Sequence, residues 1–462
     1  MPDRLSPLDV SFLYLESDTT PMHVGGVCIL EPPPDGFDYD RLVRIITERI
    51  ATVPRFRQKV KWVPGHLGNP VWVDDTEFDV TYHVRRSALP KPGTEEQLKE
   101  LTARVQSRRL DRARPLWEIY LVEGLADGRI AIITKTHHAM VDGVSAVDIG
   151  AVILDLTREP RETDVEPWEA EPEPSSLSLV ADAVTSYVRK PAELVNTARN
   201  GVADVRRVVR RAAELTTGFA AALKVTARSA PDSPLNAEIG SQRRFAVART
   251  ELDDYKRVRK EHGGTVNDVV LATVAGALRT WLLTRGESVN GKTVRAMVPV
   301  SVRTEDQHGA LGNRVSSYFV DLPVGEPSPV LRLTQVSYAM SGHKESGQSV
   351  GAEVLVAVSG FVAPTLHALG ARVANSFTRR LFNVVVTNVP GPQIPLYAAG
   401  AEMLEVFPVV PLAKGQAVSI GLTSYNGGVY YGLNADRDAM PDADVLAQCI
   451  EEALAELVET VR

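Results

Sequence analysis

At 462 residues, with 44% hydrophobic and 24% charged side chains, the chain is too long for one ordinary core and reads as a globular protein of two domains. A formal net charge of -7 argues against nucleic acid as the main partner. Cys28 and Cys449 stand far apart with no metal-ligand spacing, which fits a reducing compartment, and no apolar leader follows Met1, so a cytoplasmic location is expected.

In chain order, Ser6-Pro7-Leu8-Asp9 before Phe12 to Glu16 predicts a capped helix, and Met22 to Leu30 a strand. Apolar residues at helical spacing predict a helix over Tyr39 to Val53. Val60 to Val73 and Phe78 to Val84 read as strands, and Glu95 to Arg109 as a polar helix. Pro115-Leu116-Trp117 opens the strand Glu118 to Val122, which turns at Ala126 to Arg129 into the apolar run Ile130 to Thr136. Helical spacing returns over Val144 to Leu156. The first domain is therefore placed at 1–157 and a linker with connecting helices at 158–240, where Pro and Glu give way to an Ala- and Val-rich stretch. Arg206, Arg207, Arg210 and Arg211 in that stretch form either a solvated connector face or one that touches anionic lipid.

The second domain, 241–462, opens on the strand Arg244 to Ala248 and the helix Leu252 to Glu261. Thr265 to Asp268 then caps an apolar helix. Val294 to Val302, Val315 to Leu322 and Val384 to Val389 read as strands, the last stopped by Pro390-Gly391-Pro392. The apolar window 354–374, broken by Pro364 and carrying His367 and Arg372, reads as core or tunnel-lining helix rather than a membrane span. Asn426-Gly427-Gly428 predicts a hairpin between Ala417 to Tyr425 and Val429 to Asn434, and Pro441 to Val461 a closing helix. Both halves mix sheet and helix, an α/β (α+β) class.

The chemistry concentrates at His137-His138-Ala139-Met140-Val141-Asp142-Gly143, a junction between strand and helix. A neutral imidazole at His138 can take a proton from an alcohol and return it to a leaving group. Adjacent residues diverge in direction, so His137 and His138 do not share one job. Asp142 either faces His138 from one helical turn away or fixes the loop through an arginine, and Gly143 lets a ligand approach the backbone. His138 and Asp142 alone are too few ligands for catalytic zinc, and no HExxH is present. Gly347-Gln348-Ser349-Val350-Gly351 matches G-x-S-x-G but follows a polar stretch instead of a buried strand. Cys28 and Cys449 sit in apolar patterns typical of packed residues. Asn267 reads either as a helix-cap residue or as an amide donor to the reacting oxygen, and Arg303 and Arg314 orient Asp142, bind a CoA phosphate, or form no more than exposed surface pairs.

The ordered set Pro7-Leu8-Asp9 with Phe12-Leu13, Met22-His23-Val24-Gly25-Gly26, Pro115-Leu116-Trp117-Glu118, HHxxxDG, Asn267 to Ala272 and Asn388 to Pro392 resembles the bacterial wax ester synthases and acyl-CoA:diacylglycerol acyltransferases, especially the mycobacterial triacylglycerol synthases. HHxxxDG alone is shared with chloramphenicol acetyltransferases and condensation domains, whereas the ordered set is far more specific. The resemblance implies two chloramphenicol-acetyltransferase-like domains with the active site in a channel between them. It implies direct transfer of a long-chain acyl group from acyl-CoA to diacylglycerol, with His138 as base, His137 in support, Asp142 architectural, Gly143 making room, and Asn267 holding the reacting groups. Pro115, Leu116, Trp117 and Arg303 are the expected substrate-binding residues. No cofactor is expected beyond acyl-CoA as co-substrate. The location implied is cytoplasmic, peripheral on the inner membrane or on lipid droplets. A fatty alcohol as acceptor is the alternative within this chemistry, and a non-catalytic lipid-binding or droplet-coat protein the alternative outside it.

Overall fold

Alternating apolar residues and turn signals pair the strands into two large sheets. The computed structural model of the protein describes residues 3–141, 149–163, 168–182, 185, 229–301, 315–346, 350–351 and 381–461. In the first half the strands are β1 (His23–Glu31), the hairpin β2 (Gln58–Lys61) and β3 (Val71–Asp74), β4 (Val84–Ala88), β5 (Trp117–Glu123), β6 (Ile130–His137) and β7 (Leu154–Asp155). The second half supplies β8 (Arg243–Glu251), β9 (Val294–Ser301), β10 (Val315–Leu322), β11 (Val350–Gly351), β12 (Val384–Pro390), β13 (Tyr397–Ala398), β14 (Ala401–Val409), β15 (Val418–Tyr425) and β16 (Gly428–Asp436). One seven-stranded sheet runs β4-β5-β6-β1-β14-β13-β7 and the other β11-β10-β9-β12-β15-β16-β8.

The first sheet is thus completed by strands from the far end of the chain, which no linear division into 1–157 and 241–462 contains. β14 lies antiparallel to β1, with Val27 opposite Phe407. Behind it, Val27, Ile29, Leu98, Phe245 and Phe407 share one buried cluster, so side chains of both halves form a common core. Arg249 locks the same seam, pairing with Glu405 at 2.7 Å and Glu95 at 2.6 Å; burial alone would lower its pKa, but the two carboxylates raise it. At Gly432 an added Cβ would stand 1.9 Å from the Pro408 carbonyl oxygen, which is why the second sheet can press against β14 only through a glycine.

Most predicted elements form. Ser6 and Asp9 make a reciprocal capping box at the helix Pro7–Leu15. Thr265 and Asp268 do the same for Val266–Thr284. Asn426 and Gly427 both have positive φ, 45° and 92°, as a tight hairpin turn requires. Some readings are corrected. Val60 to Val73 is no single strand but the hairpin β2/β3, turned at Pro64–His66. Val80–His83 is one helical turn before β4, because the Asp79 side chain accepts from the Thr81 amide and caps it, overriding the β-branched residues. Leu154 leaves the predicted helix to enter β7. The helix Pro329–Ser346 and strand β14 were not foreseen. Val266–Thr284 is long and apolar enough to cross a membrane, but it is a core helix, with Val269, Leu271, Val274 and Leu278 at 0% exposure. The window 354–374 and the basic cluster Arg206, Arg207, Arg210 and Arg211 lie outside the described residues.

Candidate functional site

Every residue of β6 is buried, so the strand delivers His137 and His138 from a rigid core. His137 donates its backbone N–H to the Leu116 carbonyl (2.9 Å) and His138 to that of Met22 (2.8 Å). The strand pairings make this possible: His23 stands opposite His137 on β1, and Trp117 opposite Thr136 on β5. Gly25 of the Met22-to-Gly26 motif faces Lys135, and a Cβ there would come within 2.0 Å of the Thr134 carbonyl oxygen. That glycine permits the close β1–β6 approach on which the histidines depend.

The two histidines differ sharply. His137 is 0% exposed, and its Nδ1 accepts the Ala139 N–H at 3.1 Å. The ring proton therefore resides on Nε2, 3.7 Å from Glu16 Oε1. Burial pushes the His137 pKa down to about 3, outweighing the opposing pull of Glu16. A neutral ring with one nitrogen engaged and the other protonated is a strut, not a base. His138 is half-buried and opens the short helix His138–Val141, with its ring stacked on Phe12, centroids 4.1 Å apart.

Beneath His137 lies a polar cluster that no motif reading singled out. Glu16 accepts from Arg112 Nε at 2.9 Å and Nη2 at 2.6 Å, and Arg112 also donates to the Leu13 carbonyl. His23 Nε2 lies 3.3 Å from Glu16 Oε1. Burial opposes ionisation of Glu16, but the His23 hydrogen bond and the charges of His137 and Arg112 hold its pKa at about 2. Burial likewise pushes His23 down to about 4. At neutral pH the cluster is therefore one carboxylate held by Arg112 beneath two neutral rings. Glu16 donates its backbone N–H to Phe12 O, so Phe12 and Glu16 share one helix face. One helix end thus touches both histidines, Phe12 above His138 and Glu16 below His137. The available signal was the Phe12-to-Glu16 spacing beside the histidine strand, but a lone carboxylate after a helix reads as solvent-facing.

The remaining predicted residues fall in several places. Leu116 and Trp117 are 0% exposed; Trp117 donates Nε1–H to Phe56 O at 2.7 Å and stacks on His83. With buried Pro115 they brace the motif strand, Leu116 through its carbonyl. Asn267 lies in the first turn of Val266–Thr284 and accepts from Asn388 Nδ2 at 3.2 Å, which joins two motifs far apart in sequence. The cap is the Thr265–Asp268 pair, and Asn267 takes no part in it. Asp142, Gly143, Arg303, Arg314 and Ser349 lie outside the described residues. The helix Pro329–Ser346 leads to Gly347, where a nucleophile elbow needs a strand. Cys449 is 3% exposed with its thiol pushed up to about 11 by burial, a packed residue and no nucleophile. Among the described residues no group of three His, Cys, Asp or Glu side chains is placed to hold a metal ion. Beyond the site, Arg49 clamps the chain after the motif, with Nη2 on both Asp155 oxygens (2.7 and 2.8 Å) and Nη1 on Val152 O.

Residues 5–270 match the model of the wax ester synthase/diacylglycerol acyltransferase catalytic domain, and residues 311–458 that of the family's C-terminal domain. The chain belongs to the wax ester synthase/diacylglycerol acyltransferase family. Membership makes it an acyl-CoA-dependent acyltransferase of two mixed α/β domains, as the ordered motifs implied. Similar proteins include two of Mycobacterium tuberculosis (strain ATCC 25618 / H37Rv). The probable diacylglycerol O-acyltransferase tgs2 is 36% identical over 99% of this chain and 99% of its own. The probable diacylglycerol O-acyltransferase tgs1 is 33% identical over 99% and 96%. The solved wax ester synthase/diacylglycerol acyltransferase from Marinobacter aquaeolei VT8 superposes with a TM-score of 0.66 at 30% identity, covering 98% of each chain. The starter condensation domain of rhizomide synthetase RzmA, at 12% identity and a TM-score of 0.59 over 100% of this chain and 95% of that one, shares the fold.

Proposed function

We propose that the protein is a diacylglycerol O-acyltransferase that moves a long-chain acyl group from acyl-CoA directly to the free hydroxyl of diacylglycerol, with His138 as general base. The observation that carries this reading is the asymmetry of the histidine pair: His137 is fully buried with its Nδ1 taken up by the Ala139 N–H, while His138 is half-buried. His138 takes the hydroxyl proton as the oxygen attacks the thioester carbonyl. The C–S bond breaks, and the imidazolium returns the proton to the departing CoA thiolate, so protons and charge balance without an acyl-enzyme. Stacking on Phe12 holds the imidazole plane during both transfers. Asn267 steadies the reacting groups from the second domain, and Asp142 fixes the loop while Gly143 leaves room for acyl-CoA. Arg303 supports CoA binding. Acyl-CoA is the co-substrate and no resident cofactor takes part. Both substrates are amphipathic, so the protein works from the cytoplasm at the inner membrane or a lipid-droplet surface.

The mycobacterial relatives favour diacylglycerol as acceptor, while the Marinobacter structure supports fatty alcohol as a second acceptor. Purified protein given labelled palmitoyl-CoA with either acceptor decides between them. Triacylglycerol is expected to predominate; exclusive wax ester would reverse the preference, and neither ester, with no thiol release, would return the protein to a lipid-binding or droplet-coat role.

A further inference from the structure

Glu16 also lines a cavity of about 520 Å³ that opens between the ends of β4, β5 and β6 and the loop after the helix Glu95–Ser107. Its wall is mostly polar and rich in charged side chains, with Leu110 and the rings of Tyr82 and Tyr120 among them, so it suits a charged group better than an acyl chain. Five cations line it, Arg85, Arg108, Arg109, Arg112 and Lys135, against three carboxylates, Glu16, Asp111 and Glu118, in a chain whose net charge is -7. Two of the carboxylates are already committed. Glu16 accepts from Arg112 through both Nε and Nη2. Glu118 accepts from Arg85 at 3.0 Å and from the Tyr120 hydroxyl at 2.8 Å.

Two cations remain short of partners. Lys135 is 1% exposed, donates to the Arg108 carbonyl, and otherwise lies 3.8 Å from Glu118 Oε2, beyond hydrogen-bond reach. Two of its three N–H groups are thus uncommitted among the described residues. Burial lowers its pKa to about 8, the mark of an ammonium short of counter-charge. The exposed Arg108 side chain makes no ion pair among the described residues. Donors that converge from a strand and a loop suit an anion whose oxygens point in several directions, as a tetrahedral one's do. At about 30 Å³ per water, the volume would hold on the order of fifteen waters, so more than a bare ion enters.

We propose that this cavity binds a phosphate group carried on a larger molecule, with Lys135 and Arg108 as the principal contacts. The phosphate belongs either to a soluble nucleotide, such as the head of CoA, or to a phospholipid headgroup. The proposal is independent of the role given to His138, whose failure would appear as retained turnover in a His138 variant rather than in these binding measurements.

The test is titration calorimetry with adenosine 3′,5′-bisphosphate, alongside flotation with phosphatidylglycerol/phosphatidylcholine vesicles, on the full chain. The proteins are wild type, Arg108→Gln and Lys135→Met. Arg108→Gln alters an exposed side chain and keeps the test valid should the buried Lys135→Met fail to fold. Loss of bisphosphate affinity by tenfold or more in the variants, with vesicle binding unchanged, supports the site and identifies a nucleotide phosphate. Loss of vesicle binding, with no bisphosphate binding by wild type, supports it and identifies a headgroup. Variants that match wild type with both probes, or a wild type that binds neither at millimolar concentration, overturn it.

Discussion

The histidine pair offers a prediction in which stability and turnover separate. In His137→Ala the Ala139 amide loses its acceptor in a fully buried place. An unpaired buried donor costs about 1 to 3 kcal/mol, and the cavity left by the ring adds ~1 to 2 kcal/mol. The variant should therefore lose about 2 to 5 kcal/mol of stability. His138→Ala loses a half-buried ring stacked on Phe12, worth about 0.5 to 1.5 kcal/mol. Its cost falls on the chemistry instead: removing a general base lowers kcat by about 10² to 10⁴, or ~2.7 to 5.4 kcal/mol of barrier. Urea unfolding and thiol release from palmitoyl-CoA in the presence of diacylglycerol measure the two quantities. His137→Asn is the control, since Asn Oδ1 can occupy the position of Nδ1 and accept from Ala139; it should recover most of the stability lost in the alanine variant. A His138→Ala enzyme that keeps more than a tenth of wild-type kcat would refute the assignment.

The buried rings also set a pH dependence. His23 and His137 have pKa values of about 4 and 3 in the folded protein against an ordinary 6.5, so below pH 6.5 the unfolded chain takes protons that the folded one refuses. Stability is complete above that pH and falls by ~1.4 kcal/mol per unit for each ring as the solution is acidified. Glu16, held at about 2, adds a second loss only below its ordinary value of 4.5. Thermal scans from pH 8 to 4.5 should show a plateau and then a fall starting near 6.5, shallower in His137→Asn; an unchanged Tm down to pH 5 would contradict the buried neutral rings. Phe12→Leu should lower kcat several-fold with little change in KM, and Phe12→Tyr should restore it, because only a ring can stack on His138. Asn267→Ala and Asn388→Ala should be non-additive in kcat/KM, since each removes the same hydrogen bond; strict additivity in the double mutant would show that the two act separately.

What could be read from the sequence was whatever is written locally. The apolar run from Ile130 to Thr136 announced a buried strand ending in histidines, and Asn426-Gly427 announced its hairpin, because period and turn chemistry depend on near neighbours. Glu16 escaped notice because its partners, His23, Arg112 and His137, are brought to it only by the tertiary fold, and nothing in the local pattern marks a buried carboxylate. β14 escaped for a related reason. Its alternation is interrupted by Pro408, and its partner β1 lies at the opposite end of the chain. Trp117 shows the reverse: an aromatic in a motif invites a substrate role, yet its indole is sealed between Phe56 and His83.

The insertion of β14 between β1 and β13 also governs how the protein is made. Emerging from the ribosome, the histidine strand has its β1 neighbour at once, but β1 waits for its other neighbour until Val409 has been synthesised. At 5 to 20 residues per second that interval is roughly 15 to 50 s, during which a strand carrying Val27 and Ile29 presents an open edge. The enzyme therefore cannot mature half by half; the sheet that holds the histidine strand closes only when nearly the whole chain is present, and anything that stalls translation in the second half leaves the first half exposed to aggregation.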